Sequence, residues 1–184
     1  MQKTVFVKFA ALAVAGALSQ AAFAADGTIN FTGEIVDAPC SISPNSQNLT
    51  VPLGKVTRNA FGGTAGTAVI GTKATPARFT IDLLGCGATA KGATVTFSGT
   101  ADLDNATTLR LANAGQVGVG SASGVAIELG DSAGTKIALG SPSADYVLGL
   151  GDNSLKFQAA YVATKTAVTV GPANAVAQFT VAYK

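Results

Sequence analysis

The side chains that most often do chemistry in enzymes are sparse in this sequence. None of its 184 residues is His, so a Ser-His or Cys-His pair for nucleophilic catalysis is excluded. Two carboxylates could still serve as the acid and base of a glycosidase, because such a pair need not be close in sequence. The acidic residues are scattered, mostly beside turn residues: Asp26, Glu34, Asp37, Asp82, Asp102, Asp104, Glu128, Asp131, Asp145 and Asp152. We interpret them as turn and surface acids and expect no enzymatic activity and no cofactor.

Metal binding is also disfavoured by the pattern of possible ligands. Asp102-Leu103-Asp104-Asn105 resembles the start of a calcium loop, but the Gly and the distal Glu of an EF-hand are missing. The two cysteines have no His to complete a zinc site. We therefore predict a turn at 102–105 and no metal centre.

The first residues have the layout of a secretory signal peptide. Lys3 and Lys8 give a positive start, an apolar run covers 9–18, and Ala22-Phe23-Ala24 fits a small-x-small cleavage site. The apolar run is shorter than the roughly 20 residues of a membrane span. We predict a signal peptide at 1–24 with cleavage after Ala24; cleavage after Ala25 is the alternative.

The charge balance argues against a nucleic-acid partner. The whole sequence has 12 basic and 10 acidic residues. Lys3 and Lys8 leave with the signal peptide and no acid does, so residues 25–184 have no net charge. A nucleic-acid-binding domain usually carries a basic stripe, and none is found here.

Cys40 and Cys86 are expected to form one disulfide, because an exported chain meets an oxidising environment. The bond would close a loop of about 46 residues, worth roughly 4 kcal/mol in the chain-entropy view. A redox-active pair would more often have C-x-x-C spacing. We interpret the pair as a structural disulfide.

The rest of the chain is typical of a single all-β domain. Small and β-branched residues dominate, and Gly, Pro, Asn and Asp separate short alternating runs. This spacing predicts a β-sandwich. The predicted strands are 28–36, 49–56, 66–71, 76–84, 92–99, 107–111, 124–130, 134–139, 155–163 and 175–183. Turns are predicted between them, including Asn45-Ser46 and Asp152-Asn153. Two stretches with helical hydrophobicity, 58–68 and 110–119, are interrupted by Gly and are interpreted as loops or short strands.

A well-formed strand pattern stands at each end of the region that follows the signal peptide. Near the start, Ile29, Phe31 and Ile35 share one face, and Gly33 leaves a gap in it. At the other end, residues 177–183 alternate up to the penultimate position. Chain ends usually fray, and an unpaired terminal strand would be an exposed edge.

These features together resemble the subunits of chaperone–usher pili, in particular the major subunits of type 1-like fimbriae. The resemblance rests on the signal peptide, on the alternating start of the exported chain, and on Ala38-Pro39-Cys40 with a second cysteine after a strand. It also rests on Gly171, fourteenth from the end of the sequence, and on the closing pattern with Tyr183 in the penultimate position. It spans residues 25–184, although 100–155 carries no matching motif.

The resemblance implies an incomplete immunoglobulin-like sandwich that lacks its last strand, which a neighbour's N-terminal strand completes in trans. Residues 25–38 would form the donor extension and 39–184 the pilin domain. The pocket-facing donor residues would be Gly27, Ile29, Phe31, Gly33 and Ile35, with Gly33 at the fourth pocket. The groove-edge and chaperone-binding strand would carry Gly171, Ala177, Phe179, Val181, Tyr183 and Lys184, with the terminal carboxylate of Lys184 held by basic residues of the chaperone. Cys40 and Cys86 match the family's disulfide.

The implied function is that of a structural subunit of an adhesive surface pilus. Its partners would be identical or related pilin subunits, a periplasmic chaperone and an outer-membrane usher, and its location the cell-surface fimbrium. Two alternatives stay open: a minor or adaptor pilin, which uses the same motifs, and a secreted β-sandwich that binds carbohydrate. The absence of Trp and the presence of only three Tyr disfavour the sugar-binding alternative.

Overall fold

The computed structural model describes residues 29–33, 35, 38–63, 67–114 and 120–184. The predicted signal peptide and Gly27 lie outside these residues. The chain divides into two units, residues 1–36 and residues 37–184, which are described separately. No helix in the described part of the chain is both long and apolar enough to cross a membrane.

Residues 37–184 form two facing antiparallel sheets with almost no helix. The strands are β1 (Ser41–Ile42), β2 (Ala77–Cys86), β3 (Gly92–Gly99), β4 (Val125–Asp131), β5 (Lys136–Ile137), β6 (Tyr146–Val147), β7 (Gly151–Ala163) and β8 (Ala177–Tyr183). The first sheet has the order β1-β2-β7-β4-β5 and the second the order β6-β3-β8. The predicted all-β sandwich is confirmed.

The inward faces of the two sheets meet in an aromatic cluster. In the first sheet Phe79 of β2 is in register with Phe157 of β7, and their rings stack with centroids 5.6 Å apart. Phe97 of β3 in the second sheet meets the Phe157 ring edge-on at 5.1 Å. Because edge-to-face and offset contacts suit the charge distribution of aromatic rings, this cluster fixes the sheets relative to each other.

Six predicted strands are confirmed. Phe79, Ile81 and Leu83 alternate along β2 and share its inward face, with Ile81 and Leu83 fully buried. The confirmed strands are those predicted at 76–84, 92–99, 124–130, 134–139, 155–163 and 175–183, with shifted ends.

Three predicted strands are wrong for this structure, because alternation cannot supply a backbone partner. Residues 49–56 form no ladder with another described segment. The described residues of the runs 66–71 and 107–111 contribute only isolated bridges, at Thr67 and Leu109. In the first predicted strand, 28–36, the described residues are not in a strand either. The two-residue strands β1 and β6 were not predicted, since two residues carry no periodicity.

Three further local predictions are corrected. The turn predicted at Asp152-Asn153 lies slightly earlier, because β7 already begins at Gly151 and includes both residues. Within 58–68, interpreted as a loop or strand, Arg58–Phe61 forms a 3-10 helix. A single helical turn, α1 (Pro44–Gln47), replaces the turn expected at Asn45-Ser46. The hydroxyl of Ser46 accepts a hydrogen bond from the Asp82 N–H at 2.9 Å, which ties α1 to β2.

Candidate functional site

A long apolar groove opens between β8 and the segment 48–53. Residues 175–180 form one wall and the segment 48–53 forms the other. The cavity has a volume of about 720 Å³. No charged side chain lines it, and its floor consists of core side chains from both sheets: Phe79, Ile81, Phe97, Leu109, Ile127, Leu129 and Ala159. The hydrophobic core therefore forms the floor of the groove.

The inward-facing side chains of β8 are less buried than those they oppose. Phe179 lies opposite Phe97 of β3, and Val181 lies opposite Val95. Val95 and Phe97 are 0% and 4% exposed, whereas Phe179, Val181 and Tyr183 are only partly buried. Strand β8 pairs on one side only, since it is the last strand in the order of its sheet. Its apolar face is consequently half covered.

The backbone of β8 also presents hydrogen-bonding groups to the open edge of its sheet. Lys184 and Gly92 exchange both backbone hydrogen bonds, at 2.8 and 3.2 Å, so they form a hydrogen-bonded pair. Hydrogen-bonded and non-hydrogen-bonded residue pairs alternate along an antiparallel ladder. Counting back from Lys184, the residues Tyr183, Val181 and Phe179 therefore occupy non-hydrogen-bonded positions. Their N–H and C=O groups point away from β3, toward the open edge of the sheet. Phe179 also lines the groove, and Val181 and Tyr183 lie beyond it along the same edge. No hydrogen bond to these groups is found within the described part of the chain.

A second cavity of about 380 Å³ continues the groove beyond the start of β8. It lies between residues 54–58 and residues 168–174, which adjoin in sequence the residues that form the two walls of the first groove. Gly171 stands in this wall with φ +154°, and a Cβ at this position would lie 2.6 Å from the Ala122 amide nitrogen. Only Gly can pass so close to the backbone at 120–122. Gly171 thus lies in the wall but outside β8.

The two predicted cysteines form the expected disulfide. Cys40 and Cys86 are bonded and buried, with Cα atoms 4.2 Å apart. The Gly87 N–H donates to the Pro39 carbonyl at 3.0 Å. This hydrogen bond joins the residue before Cys40 to the residue after Cys86. The start of the sandwich is therefore fixed to the end of β2.

The residues predicted to face a partner's pockets have exposed side chains. Ile29 is 78% exposed and Phe31 is 91% exposed, and Ile35 is also fully exposed. Gly33 has no heavy atom within 4 Å of the position a Cβ would take, and its φ is not in the left-handed region. Nothing in its own surroundings requires Gly at this position.

The groove offers an apolar binding surface that no charged side chain lines. The described residues contain no group of three or more His, Cys, Asp or Glu side chains that could hold a metal ion. Burial raises the pKa of the Tyr183 hydroxyl above its usual value of 10.0, so it stays neutral beside the groove. The Lys184 ammonium forms an ion pair with Asp145 at the same end of β8.

Sequence reasoning missed one wall of the groove. Leu49, Val51 and Leu53 line it, yet the alternation in this stretch predicted an ordinary paired strand. The signal that could have identified the wall is this strand-like pattern in a chain whose family resemblance already implied a missing strand.

Comparison with known proteins identifies the family of this chain. The family profile described as "Fimbrial protein" matches residues 29–184. The long polar fimbria protein A of Salmonella typhimurium is 39% identical over 100% of this chain and 98% of its own length. The probable major fimbrial subunit LpfA of Escherichia coli O157:H7 is 38% identical with the same coverage, 100% and 98%.

A solved structure agrees with this assignment. A chain from the structure of a chaperone–usher pilus, described as revealing the basis of rod uncoiling, superposes with a TM-score of 0.68 at 26% identity. The match covers 87% of this chain and 96% of the other. The chain therefore belongs to the fimbrial protein family, whose members are structural subunits of fimbriae on the cell surface.

Proposed function

We propose that this chain polymerises into a chaperone–usher fimbrium by donor-strand exchange, as a rod-forming subunit. In this mechanism each copy receives a strand from its neighbour in the groove beside β8. It gives its own N-terminal extension to the next copy. The observation that carries the proposal is the coincidence, along β8, of uncovered apolar side chains and unpaired backbone groups.

A strand added beside β8 would cover its apolar side chains and pair its unpaired backbone groups. Main-chain hydrogen bonds to Phe179, Val181 and Tyr183 would give affinity, and alternate side chains of the incoming strand would enter the groove. Burial of apolar surface contributes about 25 cal/mol per Å². The groove carries no charged side chain, so an alternating strand whose groove-facing side chains are apolar suits it.

The extension has the chemistry and length to be that strand. Residues 27–35 alternate, with exposed Ile29, Phe31 and Ile35 on one face. Nine extended residues span roughly 30 Å, compared with roughly 23 Å for the seven residues of β8, so they would reach into the second cavity. Gly27 and Gly33 complete the set of five pocket positions.

Gly33 supports the proposal because its own surroundings do not explain it. A side chain would meet open space there, and the backbone conformation does not demand Gly. A constraint imposed by the partner's groove would explain a Gly at this position. Gly171 differs, since its own contacts require it.

The proposal includes a periplasmic chaperone and an outer-membrane usher as partners. Before exchange, a chaperone strand would occupy the same groove and pair with Phe179, Val181 and Tyr183. Ala177 begins this edge, Gly171 precedes it in the wall, and the carboxylate that follows Lys184 would be held by basic residues of the chaperone. The corresponding boundaries are a signal peptide at 1–24, a donor extension at 25–38 and a pilin domain at 39–184.

A rod subunit is favoured over the alternatives. The relative in Escherichia coli O157:H7 bears the name of a probable major subunit and aligns along the whole chain. A minor or adaptor pilin would use the same groove. For a carbohydrate-binding module we find no support at this site, since Phe79 and Phe97 form the floor of a groove and are not an exposed platform.

Self-complementation tests the proposal. Residues 25–184 expressed alone should aggregate or fold poorly, because the groove leaves the core uncovered. The same chain with residues 25–38 fused after Lys184 through a short linker should fold as a monomer. A matched control carries the same fusion with Ile29, Phe31 and Ile35 replaced by Ser, and it should behave like the unfused chain. A stable, two-state monomer formed by the unfused chain would overturn the proposal.

A further inference from the structure

Two exposed apolar patches lie at opposite ends of the sandwich. The root patch consists of Val147 and Leu150, beside the point where the N-terminal extension leaves the domain. The distal patch consists of Val69, Ile70 and Val170, beside the second cavity. Large apolar side chains grouped at such places commonly mark interaction surfaces.

The root patch is held in place by its surroundings. Val147 is 90% exposed and Leu150 is 77% exposed, whereas Leu148 between them is buried. The Asn153 side chain accepts from the Gly149 N–H at 2.9 Å and donates to the carbonyls of Gly149 and Gly151 at 2.9 and 3.1 Å. These bonds fix the turn and therefore the outward position of Leu150.

The root patch adjoins the root of the extension. Leu150 precedes Gly151, which is in register with Cys86, the disulfide partner of Cys40. Val147 is in register with Gly92, the residue that bonds Lys184 at the end of β8. Both patch residues thus lie at the end of the sandwich where residues 38–40 enter it.

The distal patch lies at the other end of β7. The Gly71 N–H donates to the carbonyl of Ala163, the last residue of β7, at 2.8 Å. The Val69 N–H donates at 2.9 Å to the carbonyl of Phe61, which lines the second cavity. Val170 lines the same cavity and is 74% exposed, and Val69 and Ile70 are more than half exposed.

The proposed strand exchange would bring the two patches together. A strand that completes an immunoglobulin-like sandwich beside its last strand runs antiparallel to it. The C-terminal end of an inserted extension, which leads to residues 38–40 of the donor, then lies at the start of the acceptor's β8. The acceptor's second cavity and distal patch are at that end. Because the donor's root patch lies beside its residues 38–40, it would lie at this end of the acceptor too.

We propose that the root patch of each copy packs against the distal patch of the copy that receives its extension, as a second contact between successive subunits. This inference rests on the proposed function. The contact is heterologous, joining different surfaces of identical chains, and such contacts build open filaments. It limits how successive sandwiches tilt about the strand that connects them.

A cysteine pair tests the contact in assembled fimbriae. The full chain carrying Leu150→Cys and Val170→Cys is produced with its chaperone and usher, and sheared fimbriae are run on a non-reducing gel. We expect a ladder of covalently linked subunits that a reductant removes. The matched control combines Leu150→Cys with Lys156→Cys, whose side chain is exposed on the outer face of the first sheet, and should give monomers.

A second variant tests whether the contact limits the angle between successive subunits. Val147→Thr with Leu150→Ser should leave assembly intact but broaden the distribution of angles between successive subunits in electron micrographs. Fimbriae that form normally, show no cross-link above the control and keep the same angular distribution would overturn the contact while leaving strand exchange standing. If the self-complementation test fails, the proposed function and this contact both fall.

Discussion

The hydroxyl of Tyr183 lies 3.4 Å from the carbonyl oxygen of Cys40 and donates to it. The two residues are 143 positions apart in sequence. Tyr183 belongs to the open edge that faces the groove, and Cys40 stands where the extension enters the sandwich. The edge proposed to receive a strand is therefore bonded to the root of the strand proposed to be given.

Alkaline pH should destabilise the self-complemented monomer, and Tyr183 should contribute to this effect. Burial raises the pKa of Tyr183 and Tyr161, and burial followed by the charge of Asp131 raises that of Tyr146. In the unfolded chain tyrosines lose their protons near pH 10, so above that pH the unfolded state binds fewer protons than the folded state. The free energy of unfolding should then fall as pH rises through 10 toward the raised pKa values. Urea denaturation at pH values between 8 and 11, about one pH unit apart, measures this free energy of unfolding.

The control for this prediction is Tyr183→Phe. It should lower stability at neutral pH by about 0.5–1.5 kcal/mol, through loss of the bond to Cys40, and should make the alkaline decline shallower. An identical pH profile in the two proteins would contradict a role for this hydroxyl.

Proline at Val181 should block polymerisation while sparing the sandwich. The Val181 N–H points toward the open edge of the sheet, so Pro removes a bond needed only by the incoming strand. The matched variant Ala182→Pro removes an N–H directed at Thr94 of β3 and should destabilise the domain itself. Because the chaperone strand would pair with the same edge, Val181→Pro should weaken the chaperone complex as well as polymerisation, whereas Ala182→Pro should also lose β-sheet signal in circular dichroism. Fimbria counts by electron microscopy measure the polymerisation. Normal fimbriae from Val181→Pro would show that strands do not add to this edge.

Replacing Gly33 with Leu should prevent strand exchange without disturbing the subunit's own fold. Its surroundings offer space for the side chain, so no cost arises within the chain. Chaperone binding should persist, because the chaperone supplies its own strand. Thr32→Leu, on the opposite face of the extension by alternation, is the control and should leave fimbriae intact. Co-purification with the chaperone and fimbria counts give the two readouts, and abundant fimbriae from Gly33→Leu would remove Gly33 from the pocket-facing set.

Removing the disulfide should weaken the domain considerably. The double change Cys40→Ser and Cys86→Ser reopens a loop with a sequence separation of 46 residues. We expect the self-complemented monomer to lose about 4 kcal/mol of unfolding free energy. Urea denaturation of the two proteins measures the difference, and equal midpoints would show that packing alone holds Cys40 at the end of β2.

Much of the candidate site could be recognised in the sequence because its signals are local. Alternation places Phe179, Val181 and Tyr183 on one face, since successive side chains of a strand point to opposite sides. The same rule placed the inward residues of β2 on one face. It failed for 49–56, where the pattern is strand-like but no described segment pairs with it.

The amino-acid sequence by itself determined the all-β class, the disulfide, the alternating face of the C-terminal strand and the family resemblance. The tertiary structure decided that β8 is an edge, that its Val181 backbone points outward, and that Leu49, Val51 and Leu53 form the opposite wall. The physical reason is that face and periodicity follow from the geometry of neighbouring residues. Strand order and backbone orientation depend instead on bonds between distant residues, such as Gly92 and Lys184.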